Sequence, residues 1–454
     1  MFLNKMTSLI VTMSMSLTAF ASQDSVQDST GRGLQNAIKT ALEKNPKIKS
    51  NDKTLEAMVM RVESTKLSQL PSLGLSISTS RSQGTAYDSS NPDLQDYRNS
   101  RRGSEVTLNW NVFDGGAKRK KIKSMECSFK ERQAQFNSTN TLVRNTQGQV
   151  ASAVVLHYIS LTKAQENVKL TQQILAALAK IRTIAKTDGQ ILQIENLINS
   201  SNLELQTFQA AVTSSANNFE YVVTEPPPIQ LDTFQQIIDS LTIPESPTAA
   251  MTIALEKSPE IKTARFQIEC MRLRYESARA EIYSPRVDVS VGKSYGNQNV
   301  NTLTGRTSGS GGTTAGITLT MGLNAGSSGE LNAQLKDIES AQDNLDGTVA
   351  DTKHEIDLGY PELANSINFA ESYKRNYISS QANIQKYLLD IDAHHPAPAE
   401  DIVKELFNLE NNFLAYQRYT IIVLNAKFQI QKTVGTLFES LGLSTTGMGS
   451  VNLK

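Results

Sequence analysis

The strongest constraint on the fold is a segment that the sequence contains twice. Residues 41–49 read Ala-Leu-Glu-Lys-Asn-Pro-Lys-Ile-Lys and residues 254–262 read Ala-Leu-Glu-Lys-Ser-Pro-Glu-Ile-Lys, so seven of nine positions are identical. Self-similarity over this distance indicates that one structural unit has been duplicated. We predict a first repeat at 22–223 and a second at 247–442. The linker between them, 224–246, contains three consecutive prolines, which exclude a helix there.

Each repeat is predicted to contain a helix, a pair of strands and two long helices. In four segments, apolar residues alternate with polar or small ones, and this period of two is typical of strands with two different faces. The segments are about 72–82, 104–113, 286–295 and 315–324. The loops 83–103 and 296–313 are rich in Gly, Ser, Asn and Thr, as in outer-membrane barrels with long external loops.

The apolar positions of these strands are predicted to face lipid. They are Leu73, Leu75, Ile77, Val106, Leu108, Trp110, Val287, Val289, Val291, Ile317, Leu319 and Met321. A soluble β-sandwich would use the same alternation and is the alternative fold. The basic run Lys118-Arg119-Lys120-Lys121 follows the second strand, where it either binds lipid headgroups or marks the aqueous end of the barrel.

After each strand pair, the apolar period becomes helical. Ile122, Phe129 and Phe136 recur every seven residues, and similar series continue through both repeats. Sustained heptads predict antiparallel coiled-coil helices. The predicted long helices are about 117–185, 190–223, 329–393 and 400–441. Pro361 lies inside the third helix and is predicted to kink it.

The N-terminus and the composition bound the location of the protein. Residues 1–21 are predicted to be a secretory signal peptide, since one lysine precedes a short apolar run and small residues; a membrane anchor is the alternative reading. Residues 443–454 form a C-terminal tail.

The 45 basic and 45 acidic side chains give zero formal charge, which argues against a nucleic-acid partner. Cys127 and Cys270 are expected to be either single buried thiols or a pair without a redox function.

Four amphipathic strands cannot close a barrel within one chain. An open sheet edge in lipid leaves backbone donors and acceptors unpaired, at a cost of several kcal/mol each. We therefore predict closure with other copies. Three chains would give twelve strands, which leaves room for a polar interior where eight would not.

The sequence Leu108-Asn109-Trp110-Asn111-Val112-Phe113-Asp114-Gly115-Gly116 resembles the TolC-like outer-membrane efflux protein family, the outer membrane factors of tripartite efflux and type I secretion systems. Further support comes from the duplicated Ala-Leu-Glu-Lys-x-Pro opening, the proline before the first strand of each repeat, and Val434-Gly435-Thr436-Leu437. The resemblance implies an α+β membrane protein in the outer membrane. It would be a homotrimer whose twelve-stranded transmembrane β-barrel continues into a periplasmic α-barrel of long helices.

The resemblance also implies two protein partners: a periplasmic adaptor protein and an inner-membrane transporter, either ABC-type or proton-driven. Family members narrow the periplasmic entrance with aspartates, but Lys404 and Phe407 occupy the corresponding positions here. His395 and Pro398 replace the Tyr and Gly usual in the preceding turn. The second repeat also lacks the Phe-Asp-Gly-Gly strand exit.

Acidic residues near the second helical turn suggest a substitute for the missing aspartates. We expect Asp401 and Glu405, one helical turn apart, to form a cation-selective ring near Lys404 and Asp392; ordinary solvated charges are the alternative reading. The tips expected to contact the adaptor include Asp188, Gly189, His395, Pro396 and Pro398. His394 and His395 could also be read as a metal pair, although solvated turn residues explain them as well.

The sequence thus favours an export channel in efflux or type I protein secretion. A secreted or surface coiled-coil protein with a structural or adhesive role is the rival, although it does not explain four matched amphipathic strands. The chain contains no phosphate-binding loop, zinc-ligand spacing or nucleophile elbow, so neither an enzyme nor a cofactor is expected.

Overall fold

The architecture is taken from a computed structural model that describes residues 33–88, 91–137, 146–301, 306–321, 325–392 and 397–443. The predicted signal peptide, His394, His395, Pro396 and nearly all of the C-terminal tail lie outside these ranges. The helices are α1 Gly33–Lys44, α2 Pro46–Leu67, α3 Ala117–Asn137, α4 Gln147–Arg182, α5 Asp188–Val223, α6 Phe234–Ser240, α7 Pro247–Lys257, α8 Pro259–Tyr283, α9 Ala325–Asp392, α10 Ala399–Val434 and α11 Leu437–Ser440. The strands are β1 Ser72–Asp88, β2 Asn91–Phe113, β3 Arg286–Asn301 and β4 Arg306–Thr320.

The four strands form one antiparallel sheet in the order β1-β2-β3-β4. The first hairpin pairs Leu73 with Leu108, and the second pairs Val289 with Ile317. The two hairpins meet along β2 and β3, where Leu108 lies opposite Val291. Among the described strands, β1 and β4 are therefore the open edges of the sheet.

The strands are longer than predicted. The segments 83–103 and 296–313 were expected to be loops, but pairing continues through Gln83↔Arg98 in the first hairpin and Gln298↔Ser308 in the second. Ladder hydrogen bonds join backbone groups, so a segment without apolar side chains can still extend a hairpin whose strands are already aligned. The alternation pattern detects only the part of a strand that has an apolar face. The last strand also ends earlier than predicted, at Thr320.

The sequence Phe-Asp-Gly-Gly at 113–116 makes the turn from β2 into α3. The Asp114 carboxylate accepts hydrogen bonds from the backbone N–H groups of Gly116 and Lys118, each at 3.0 Å, and so caps the first turn of the helix. Gly115 and Gly116 have φ values of 63° and 83°, a conformation that side-chain-bearing residues rarely adopt. The motif is thus a strand-to-helix turn in which Asp114 caps the helix and the two glycines adopt positive φ values.

The helices form a slab that is four helices wide at each level. Next to the sheet the order is α2-α3-α8-α9, and at the far end it is α5-α4-α10-α9. The 68-residue helix α9 therefore runs along one side of the protomer through both levels. Because β1 leads from α2 and β4 leads towards α9, each side of the sheet continues into one side of the slab.

Three helix boundaries differ from the prediction. The helix predicted at 117–185 is described as α3 and α4, and residues 138–145 lie outside the described ranges. The helix predicted to reach 441 ends at Val434, because Gly435 takes a left-handed φ of 80° and α11 then begins a separate turn. The linker 224–246, expected to be without a helix, contains α6 after its three prolines. Pro361 lies within α9, which is helical on both sides of it.

The duplicated Ala-Leu-Glu-Lys-x-Pro segment fastens the start of each repeat to its end. Lys44, the last residue of α1, pairs with Glu225 just after α5; Lys257, the last residue of α7, pairs with Glu439 after α10 at 2.6 Å. At Gly435 an added Cβ would lie 2.5 Å from the carbonyl oxygen of Lys257, so only glycine fits there. Exposed ion pairs contribute little stability individually. The close approach of the Gly435 backbone to the Lys257 carbonyl restricts how the end of the second repeat can pack against its start.

The linker is fixed to helices of both repeats by hydrogen bonds. Buried Asp232 accepts hydrogen bonds from the backbone N–H of Leu34 at 2.8 Å and from the Tyr158 hydroxyl at 3.1 Å. Burial raises the pKa of Tyr158. The hydroxyl of Tyr158 gives the buried carboxylate of Asp232 a hydrogen-bond donor. On α10, Lys427 donates to the carbonyl oxygens of Ile238 and Leu241 at 3.0 and 3.2 Å. The linker is thus tied to both repeats.

Cys127 of α3 and Cys270 of α8 form a disulfide across 143 residues of chain. It resolves the two alternatives of the sequence in favour of a pair. The same two helices are joined by the Arg274 guanidinium, which donates to the Ser128 hydroxyl at 2.9 Å, and by the Ser277 hydroxyl, which donates to the carbonyl of Ala117 at 3.0 Å. The disulfide therefore locks the central seam of the slab, where the two repeats meet.

We expect the double substitution Cys127→Ser and Cys270→Ser to lower the free energy of unfolding by roughly 2–5 kcal/mol, because a long loop is no longer closed in the unfolded chain. The measurement is thermal unfolding with and without reductant. Reductant should destabilise the native protein and leave the double variant unchanged. Equal stability of the oxidised protein and the variant would contradict the expectation.

Candidate functional site

One face of the sheet is apolar over most of its length next to the helices. We call it the apolar face. Cross-strand rows on it include Leu73–Leu108–Val291 and Trp110–Val289–Ile317. Many of these side chains are exposed, and Ile317 remains 77% exposed. Eleven of the twelve residues predicted to face lipid lie on this face; Met321 lies just beyond the end of β4.

The opposite face of the sheet consists of small and polar side chains. A representative row runs Gly74–Thr107–Gly292–Thr314. A Cβ at Gly74 would lie 2.8 Å from the Thr107 hydroxyl oxygen, so the glycines accommodate neighbouring threonines. Small polar residues leave open space beside this face and can bind water. The sheet therefore has one apolar face and one polar face, and we call the polar face the wet face.

Polar side chains at the helical end of the wet face form a network. The Asn111 amide donates to the Asp288 carboxylate at 2.9 Å, and Arg286 pairs with the same carboxylate at 2.7 Å. On the apolar face nearby, the Trp110 indole N–H donates to the carbonyl of Gln69 at 3.2 Å. An amphipathic tryptophan in this position is typical of a membrane–water boundary.

Exposed large apolar side chains are concentrated along the two sides of the slab. The side helices α2, α5 and α9 contain ten of them: Met60, Leu67, Leu192, Leu203, Tyr221, Leu335, Leu358, Phe369, Ile378 and Leu389. The described parts of α3, α4, α8 and α10 are of similar total length and contain four: Leu156, Tyr283, Phe407 and Leu414. The sides of the slab are therefore unpartnered in the single chain, as are the edges of the sheet.

The two predicted tips lie side by side at the far end of the slab. Ile181 and Ile194 beside the first turn share one buried cluster with Ile402 beside the second. Asp188 is the first residue of α5, Gly189 follows it, and Pro398 directly precedes α10. The Arg182 guanidinium and the Glu195 carboxylate, 2.5 Å apart, join α4 and α5 near their turn.

The predicted acidic ring is only partly available. Asp401 and Lys404 are exposed, whereas Glu405 is partly buried and its carboxylate accepts hydrogen bonds from Asn383 at 3.0 Å and Asn408 at 3.1 Å. Burial opposes ionisation of Glu405, but these bonds and one from Ser380 outweigh it and lower its pKa. Glu405 therefore joins α9 to α10. The side chain of Asp392 lies outside the described residues.

A narrow groove between α5 and α10 contains a pair of glutamates that sequence analysis did not identify. Leu178 and Leu197 line the groove together with Glu204 of α5 and Glu410 of α10. Burial, and secondly the charge of Glu204, raises the pKa of Glu410. The two glutamates are more than 200 residues apart in the chain, so only the packing of the two repeats reveals that they are neighbours.

Chemical sites are not prominent in the described ranges. No group of three potential metal-ligating side chains converges among the residues that the structure describes. The described helices include none with the length and hydropathy needed to cross a bilayer. A larger cavity of about 420 Å³ lies between α1, the end of α5 and the linker, where Asp232 is already bound to α1 and α4.

Several solved outer-membrane channels share this fold of an open amphipathic sheet continued by long coiled-coil helices. Solved structures with this fold include VceC from Vibrio cholerae, which is 16% identical, has a TM-score of 0.63 and is matched over 90% of this chain and 96% of its own. The CmeC outer membrane channel of Campylobacter jejuni is 16% identical with a TM-score of 0.64, over 94% and 95% of the two chains. The MtrE outer membrane channel of Neisseria gonorrhoeae, solved in an open state, is 16% identical with a TM-score of 0.56, over 93% and 94%.

Part of the sequence also matches a family model. Residues 37–188 match the model of the outer membrane efflux protein family. No curated protein matches the chain. Together, the family match and the shared fold confirm the predicted resemblance, the predicted fold of the single chain, and the outer-membrane location with the helices in the periplasm. The chain is therefore similar in fold to outer-membrane channels and, over residues 37–188, similar in sequence to the outer membrane efflux protein family.

We expect Glu410→Gln to raise the melting temperature at pH 7, because the substitution removes a charge that burial and Glu204 disfavour. A raised pKa means that the native protein regains this stability as the pH falls towards the ordinary value of a glutamate, about 4.5. The variant should therefore gain less than the native protein between pH 7 and pH 5. Glu400→Gln, at an exposed position of the same helix, is the matched control, and an equal gain in both variants would contradict the expectation.

Proposed function

We propose that the chain functions as a homotrimeric export duct whose β-barrel crosses the outer membrane and whose helical tunnel extends through the periplasm. The single observation that carries this proposal is the continuous pair of open sides, which runs from the sheet edges β1 and β4 to the helices at the tip. A surface of this kind is completed by identical copies arranged around an axis, since one side of each copy can pair with the other side of the next.

The strand count supports three copies. Each chain supplies four strands, so a trimer supplies twelve, and a barrel of that size has room for an aqueous interior. With the apolar face towards lipid, the small polar side chains of the wet face line the interior. Lipid in the outer membrane is then a partner of the apolar face.

The same closure explains the sides of the helical slab. In a ring of copies, α5 of one protomer packs against α9 of the next, and the exposed Leu203 and Leu358 become buried. Each fully buried leucine contributes about 1.5–3 kcal/mol. The scarcity of exposed apolar residues on the central helices is consistent with walls that are wet on both faces.

At the tip we propose that Asp401 provides the acidic ring, because Glu405 is bound by neighbouring amides. Threefold symmetry repeats each exposed carboxylate three times around the entrance, where it favours cations. The ring is flanked by Lys404, which reduces its net charge.

We also propose that the turns near Asp188, Gly189 and Pro398 contact a periplasmic adaptor protein, and that an inner-membrane transporter, ABC-type or proton-driven, supplies the energy. Type I protein secretion and small-molecule efflux both use such an arrangement, and the resemblance that supports it does not distinguish between them. Normal export by cells with disruptive substitutions at both turns would count against the adaptor contact.

No observation favours the rival reading as a secreted adhesive coiled coil. Such a protein has no use for a sheet with one apolar face and one wet face at the end of its helices. No catalytic role is proposed, since the family match and the solved relatives are channels.

Leu203→Asp tests the trimer. We expect at least a tenfold weaker association per interface, since a charged group replaces a leucine worth about 1.5–3 kcal/mol at a side of the slab. Leu156→Asp is the matched control, because Leu156 is 57% exposed compared with 65% for Leu203 but lies on the central helix α4. Crosslinking and mass measurement in detergent would report the oligomer, and equal losses in both variants would argue against this interface.

Planar-bilayer recording tests the channel and its entrance. The native protein should give discrete cation-selective conductance steps from a species that crosslinks as a trimer. Asp401→Lys should shift the reversal potential towards anion permeation, whereas Glu400→Lys, one position away on another side of the helix, should shift it much less. The absence of steps and of membrane partitioning would refute the duct; equal shifts would refute the role of Asp401 alone.

A further inference from the structure

The apolar face of the sheet ends abruptly in a row that contains arginine. The last apolar row is Ile77–Ser104–Tyr295, and the next row places Thr79 beside Arg102. Arg81 follows one row further on, paired with Ser100. Since side chains two residues apart lie on the same face, Arg81 and Arg102 are diagonal neighbours on the face that bears the leucines.

The height of these arginines matches a membrane boundary. Along β3, ten residues separate Val287, in the row nearest the helices, from Asn297, in the row of Arg102. At about 3.3 Å per residue and a tilt of about 40°, that is roughly 25 Å across the membrane, the height of the apolar band of an outer-membrane barrel. The arginines thus lie where headgroups begin, on the side away from the helical tunnel.

Neither arginine is paired with a carboxylate among the side chains that the structure describes. Both are exposed, and neither forms an ion pair with any residue in the described ranges. The nearest carboxylate along the strand, Glu105, lies on the wet face, since its parity is opposite to that of Arg102. Two neighbouring guanidinium groups that form no ion pair in the described part of the chain create a site for an anion, and the geometry of guanidinium suits phosphate oxygens best.

A third cation on the apolar face points to the same kind of ligand. Lys293 lies opposite Val106, two rows closer to the helices than Arg102, and is exposed. A lysine within an apolar band is costly unless its chain extends along the surface and brings the ammonium to headgroup level. An anionic headgroup at the row of Arg102 would give this ammonium a partner.

We propose that Arg81 and Arg102, with Lys293 reaching towards them, bind the phosphate of a phosphorylated lipid in the outer leaflet of the outer membrane. The acyl chains would lie against the leucine rows below, and in a trimer the site occurs three times around the barrel. The inference rests on the proposed assignment of the apolar face to lipid. Continuity of the apolar rows with the uncompensated charge is what favours a lipid over a free anion.

The test measures the affinity of the purified protein in detergent for a fluorescent lipid A that carries two phosphates. We expect Arg81→Gln combined with Arg102→Gln to weaken binding about tenfold to thirtyfold, since each cation near an anionic surface contributes several-fold. Arg101→Gln is the matched control, because Arg101 adjoins Arg102 in sequence but lies on the wet face, and its affinity should stay within about twofold of native. An unchanged double variant, or an equal loss in the control, would overturn the proposal.

The native protein provides the second half of the test. It should bind dephosphorylated lipid A about as weakly as the double variant binds the phosphorylated form. Equal binding of both lipids would overturn phosphate recognition, and displacement by millimolar inorganic phosphate would show that a free anion suffices. Trimer formation and conductance are recorded on the same samples. If the native protein neither forms a trimer nor conducts, the duct is refuted. If the double variant conducts and its affinity for the lipid is unchanged, only the lipid site is refuted.

Discussion

Backbone hydrogen bonding at the two sheet edges is the constraint on which the rest of the structure depends. In lipid, an unpaired peptide group costs several kcal/mol, so β1 and β4 cannot remain open there. Most of the exposed large apolar side chains of the helices follow the same two sides: β1 lies on the side of α2 and α5, and β4 lies on the side of α9. The exposed apolar side chains on these helices are consistent with surfaces that another chain would cover.

Sequence reasoning recovered the elements that have a periodic apolar face. The alternation at Leu73, Leu75 and Ile77 correctly predicted that these side chains share one face of the sheet, and the heptads predicted the long helices. It missed the outer parts of the hairpins, because Gly- and Ser-rich strands are stabilised by backbone ladders that leave no trace in hydropathy. It missed the end of α10 at Gly435, where the close approach of Lys257 from a distant segment decides the conformation.

The far end of the slab illustrates why a candidate site is harder to predict than a fold. Spacing alone put Asp401 and Glu405 on one side of a helix, but it could not show that Asn383, from α9, binds Glu405. Likewise, nothing near Glu204 in sequence suggests Glu410. Both relations arise from packing between helices that are remote in the chain. The Cys127–Cys270 disulfide belongs to the same category, since it joins the two repeats across their central seam.

The two unlike sides of each protomer have a genetic consequence. In the proposed ring of three, every chain contributes one of each side, so a chain with a damaged side disrupts an interface even when both of its neighbours are native. If native and damaged chains are made in equal amounts and assemble at random, only about one trimer in eight contains native chains alone. Loss-of-function alleles that map to β1, α5 or α9 should therefore be dominant over the native gene, whereas alleles that prevent the chain from folding should be recessive.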